Sequence, residues 1–184
     1  MCILPLAVLA LTVTFGFTMP AQKGDKRMHA QLPMRIQLSS AGRHGLKAVL
    51  ENCSSHEQTV LHNDRLQPCK LVLVDSAGKE VPSFDTRSIE KFDNTVYRSM
   101  YVTLPDREKI VLHDVRFTKE KKDGFELFWN PYQFEHLKPG IYRAYVTWHS
   151  SEDSWTDSET GGGGMLEGVW KGTITSNSVT VRLR

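Results

Sequence analysis

From Met34 onward the chain repeatedly alternates apolar and polar residues with a period of two, and this constrains the fold more than any other feature. Successive side chains of a β-strand point to opposite faces, so such alternation predicts strands with one face buried and one in water. "MRIQL" sets Met34, Ile36 and Leu38 against Arg35 and Gln37, and "GLKAVLEN" sets Leu46, Ala48 and Leu50 against Lys47 and Glu51. "YRSMYVTLP" aligns Met100, Val102 and Leu104, while "EKIVLHDVRF" aligns Val111, Val115 and Phe117 opposite Ile110 and Leu112. "CKLVLVDSAGKEV" has the form of a hairpin with a Gly-containing turn. "KKDGFELFW" opens on Asp-Gly, a favoured hairpin dipeptide, and enters a strand carrying Phe125, Leu127 and Trp129. The terminal "SNSVTVRLR" alternates Val179, Val181 and Leu183 with Thr180, Arg182 and Arg184. No window of helical length has apolar residues at three- and four-residue spacing. The best helical candidate is a short turn in "NPYQFEHL", with Asn130 as cap and Pro131 at the first helical position. These patterns predict an all-β domain over residues 34–184, an antiparallel sandwich of about eight or nine strands.

What precedes that domain is different in kind. "ILPLAVLALTVTFGF", Ile3 to Phe17, carries no charge and is followed by the polar "QKGDKR". The run is shorter than the ~20 residues of a membrane span, so it predicts a signal peptide over 1–21 and a linker over 22–33. The expected location is extracytoplasmic, periplasmic or secreted, with no membrane insertion after cleavage. The alternative is an uncleaved anchor: no Lys or Arg precedes the run, and Met19 occupies the position before Ala21 that should be small. Cys2 opens the hydrophobic run, whereas a lipoprotein cysteine follows one, so it reads as an incidental leader residue. Cys53 and Cys69 then remain, an even pair that predicts a disulfide in an exported chain. Thiolate metal ligation with His56 or His62 lacks a C-x-x-C spacing. The formal charge of +2 gives no basis for a nucleic-acid partner. Glu120 and Asp123 interrupt the basic cluster of Lys119, Lys121 and Lys122, which reads as a solvated hairpin turn.

The segment "LKPGIYRAYVTW" joins the pattern to a specific architecture. After its Pro139-Gly140 turn, Tyr142, Ala144, Val146 and Trp148 share one face, apolar enough to be the core face. Ile141, Arg143, Tyr145 and Thr147 share the other. A tyrosine at the entrance to a core strand can bury its ring while its hydroxyl bonds backbone at the corner. Pro139, Gly140 and Tyr142 thus resemble the tyrosine corner of immunoglobulin-like sandwiches. The antibody cysteine two residues later is Ala144 here, and Cys53 lies on the Lys47/Glu51 parity, so a Cys53–Cys69 bond would staple a rim. Together with "LENCSS", "LVLVDSAGKEV", "LPDREKIVL" and the terminal strand, the segment also resembles a family of bacterial exported sandwich domains similar to the intracellular proteinase inhibitor BsuPI. That resemblance implies the immunoglobulin-like fold. It also implies proteinase inhibition through an extended loop, although no reactive-loop sequence matches residue by residue.

The sequence holds little that reads as catalysis. G-x-S-x-G is absent, and the histidines at 29, 44, 56, 62, 113, 136 and 149 never form H-E-x-x-H. A dispersed metal site drawing on His113 and His149 is the remaining enzymatic reading, ranked last. No catalytic residue, cofactor or metal is predicted. Composition departs sharply from the folded background only in "SSEDSWTDSETGGGG". Glu152, Asp153, Asp157 and Glu159 lack the D-x-D-x-D-G order of a calcium loop and read as a mobile acidic loop. Trp155 among them either stacks on a sugar or anchors a protein, or folds back onto the sandwich rim. Gly161 to Gly164 precede another strand, with Trp170 and Ile174 on one parity, so they read as a hinge rather than a phosphate cradle. The expected function is therefore a non-catalytic binding module for a protein or carbohydrate, with the 150–165 loop as its recognition segment. The proteinase-inhibitor reading is its alternative.

Overall fold

The computed structural model describes residues 32–63, 66, 69–88, 95–119, 124–156 and 162–184. The leader, and most of the linker expected before Met34, lie outside them. Gln31–Arg184 form one compact unit. Along the chain run β1 (Met34–Ser40), β2 (Gly45–Asn52), β3 (Gln58–Leu61), β4 (Cys69–Val74) and β5 (Phe84–Asp85). Then come β6 (Tyr101–Leu104), β7 (Lys109–Arg116), β8 (Thr118–Lys119), β9 (Phe125–Trp129) and β10 (Tyr132–Leu137). The last are β11 (Gly140–Ser150), β12 (Ser154–Thr156), β13 (Gly163–Met165), β14 (Gly172–Thr175) and β15 (Val179–Leu183). Short segments such as β5, β8 and β12 are too brief to show a period, so the sequence merges or misses them.

Every pairing between these strands is antiparallel, and the whole fits a β-sandwich. One sheet has the order β1-β2-β7. In another, β11 pairs with β4 on one side and with β15 and β14 on the other. The predicted inward residues meet between them: Met34, Ile36, Leu38, Leu46, Ala48 and Leu50 share one apolar cluster with Leu71, Leu73, Ala144, Val146 and Trp148. A third sheet, β5-β10-β9-β8, adds Phe125, Leu127 and Trp129 to that cluster. The indole N–H of Trp129 donates to the Cys69 carbonyl at 2.6 Å, which ties β9 to β4. The Tyr142 hydroxyl donates to the Lys138 carbonyl at 2.7 Å, holding the entry to β11 across Pro139.

Four expectations are corrected. "NPYQFEHL" contains strand β10 rather than a helical turn. It hides its period because the register shifts between Phe134 and Leu137, where His136 has φ 53°, so the inward positions are not evenly spaced. In β7 a second register shift, opposite Ala48/Val49, turns Leu112 and His113 both inward and leaves Val111 45% exposed. No disulfide joins Cys53 and Cys69; both are thiols. Cys53 follows β2 and donates its N–H to Pro33, whereas Cys69 opens β4 in a different sheet, opposite Trp148. Nor do the glycines form only a hinge, since Gly163 and Gly164 belong to β13 and pair with Thr156 and Trp155. A Cβ at Gly163 would stand 2.5 Å from the Trp155 carbonyl oxygen, so this close pairing needs glycine.

Candidate functional site

The chain leaves the core at Ser150 and immediately builds a rim from short elements. β12 and β13 pair with each other. The Thr156 N–H then donates to the Val96 carbonyl at 2.7 Å, and Tyr97 bridges Thr156 in parallel. β3 and β6 form a second pair beside them, and Trp170 donates its backbone N–H to Thr59 at 2.8 Å. The Trp170 ring stacks on buried Trp148 at 4.9 Å and 8°, anchoring this rim to the core. Between β3 and β12 lies a groove of about 530 Å³, with Leu61, Val96, Glu152 and Trp155 among its walls.

Trp155 is half-buried, and its ring is held in place rather than left loose. A Cβ on Gly164 would lie 3.3 Å from the indole nitrogen, so glycine is what lets the ring lie against β13. The Arg98 guanidinium covers the ring at 5.6 Å from its centroid, a cation–π contact. Asp153 is fixed by Lys171 at 2.6 Å, and its carbonyl accepts from the Leu166 N–H at 2.8 Å. Glu152 is exposed on the groove wall. The Tyr101 hydroxyl donates to the Ser154 carbonyl at 2.9 Å. Burial first, and the Glu152 and Asp153 carboxylates second, push the Tyr101 phenol above its ordinary range, so it stays a neutral donor at neutral pH.

No family model, curated protein or solved structure matches this chain.

The remaining expected residues sort themselves by geometry. Asp157 and Glu159 lie outside the described residues, as do residues 120–123 of the basic turn. His113, in β7, is buried with its ring 4.4 Å from that of Trp129, whereas His149 lies in a different sheet and shares a 2.9 Å hydrogen bond with its register partner Thr173. Among the described residues no group of three or more His, Cys, Asp or Glu is placed to hold a metal. No helix among them is long and apolar enough to cross a membrane. Sequence reasoning missed Leu61 and Val96, which line the groove, and Arg98 and Tyr101, which contact Trp155 and Ser154 from more than 50 residues away in the chain; only Trp155 and its acidic neighbours signalled it.

Proposed function

We propose that this chain is an exported, immunoglobulin-like β-sandwich that captures a protein partner in the groove beside Trp155, without catalysis. The observation that carries the reading is Trp155 itself, an aromatic half-exposed in a groove yet fixed by Gly164 and Arg98. A preorganised aromatic anchor loses little freedom on binding, which is why such residues dominate protein interfaces. Of the two partner classes, the covered ring favours protein. A sugar needs an open aromatic face, and Arg98 already occupies part of this one, whereas a groove lined by Trp155 with Leu61 and Val96 and with Thr95 and Glu152 offers a protein partner both apolar and polar contacts.

The immunoglobulin-like assignment is supported by β1-β2-β7 packing against β4-β11-β15 and by the Tyr142 corner bond. Export rests on the uncharged Ile3–Phe17 run. Trp155→Ala is expected to abolish partner capture by the immobilised protein while leaving the thermal midpoint within a few degrees of wild type. Full capture by that variant would reject the groove assignment. Stoichiometric loss of a serine or cysteine protease's activity on adding the wild-type protein would instead favour the inhibitor alternative.

A further inference from the structure

The outer face of the β5-β10-β9-β8 sheet carries two exposed phenyl rings, neither of which lines the Trp155 groove. Phe84 of β5 and Phe128 of β9 are both register partners of Gln133 on β10. Directly opposed residues of antiparallel strands project to the same face, so two phenyl rings flank one amide at a backbone separation of about 10 Å, two strand spacings. Phe84 is 45% and Phe128 54% exposed, while Phe125, Leu127 and Trp129 on the opposite face of β9 are buried. The alternation along β9 is intact, so Phe128 is not turned outward by a register fault. Beside Phe128 a groove of about 410 Å³ is lined by Arg116, Thr118, Glu126 and Gln133. Among the described residues these four side chains make no hydrogen bond or ion pair with the protein.

Half-exposed phenyl rings beside uncommitted donors and acceptors define the ligand's chemistry. A sugar ring offers C–H faces to lie on phenyl rings and hydroxyls to bond an amide, a carboxylate and a guanidinium. Arg116 and Glu126 balance in charge, so the groove favours a neutral ligand over a phosphate or an acidic peptide. A purely apolar partner would instead strand those polar groups without hydrogen-bond partners. We propose that this face binds a neutral linear oligosaccharide, which crosses the strands from Phe128 to Phe84 and bonds Gln133 between them.

The test is calorimetric titration of the full chain with cellohexaose, xylohexaose, mannohexaose and chitohexaose. At least one is expected to bind, more tightly than its monosaccharide, because a single sugar ring cannot reach two phenyl rings about 10 Å apart. Phe84→Ala, Phe128→Ala and Gln133→Ala should each weaken binding by tenfold or more with an unchanged circular dichroism spectrum. Trp155→Ala should leave glycan affinity unchanged, which separates this site from the protein-binding groove. The proposal is overturned if none of the four hexasaccharides binds, or if binding survives loss of both rings. Concentration-dependent dimerisation abolished by Phe128→Ala, without glycan binding, would assign the face to a second copy of the chain and also overturn it.

Discussion

Asn52 is fully buried at the end of β2, with its amide nitrogen bonded to the carbonyls of His56, Leu104 and Pro105. Its side-chain oxygen accepts from the Ser54 N–H at 3.0 Å and the Ser54 hydroxyl at 2.7 Å. One side chain thus joins β2, the following loop and the β6–β7 turn. Asn52→Ala strands several of these partners at about 1–3 kcal/mol per buried group, so urea unfolding should show a loss of about 3 kcal/mol. A loss below about 1 kcal/mol would mean that water replaces the amide. Tyr142→Phe removes a single, partly buried bond and should cost about 1 kcal/mol. Burial, and then the charge of Asp75, raise the Tyr142 phenol above its ordinary value of about 10. A raised folded-state value means that this contribution is present below the unfolded pKa and is lost as pH rises through the folded one. Stability measured from pH 8 to pH 11 should therefore fall more steeply in wild type than in Tyr142→Phe. The two residues differ in legibility: Tyr142 announces itself by its place after Pro-Gly, whereas Asn52 resembles any polar residue closing a strand. Its partners lie as many as 53 positions away, beyond the reach of local pattern.

The β12–β13 hairpin holds Trp155 at the groove, and glycine makes its close pairing possible. Gly164→Val would drive branched methyl groups into an indole already 3.3 Å from the position of a single Cβ. The variant should displace Trp155 from beneath Arg98, shift tryptophan emission to the red and weaken partner capture. An unchanged spectrum with full capture would refute the ring's placement. Strands such as β2, β9, β11 and β15 were readable because each offers several successive positions to a one-sided core. β7 and β10 were readable only in part, since a single inserted residue reverses parity beyond it and no local signal marks the insertion. The hairpin looked like a mobile acidic loop because its three-residue strands are held by backbone bonds to Val96 and by Lys171, contacts that composition does not encode.

At the scale of the molecule, the core and the rim have separate tasks. The sheets bury one continuous apolar cluster to which the hairpin contributes no residue, while the Trp148–Trp170 stack connects core and rim. The inward face of β11 is therefore scaffold, and the proposed Trp155 groove begins where that strand ends. The fold class was legible because alternation is a property of whole strands. The site was legible only as one tryptophan, since the groove assembles from β3, β12 and the segment before β6. Deleting residues 154–163 should thus remove function and spare the fold. The most direct measurement is mass-spectrometric quantification of proteins retained from the exported fraction by wild type and by this deletion, with thermal unfolding of both. The expected result is a specific partner retained by wild type and lost from a deletion variant that still unfolds cooperatively at a similar temperature. Equal retention by the folded deletion variant would contradict the assignment of capture to the Trp155 rim.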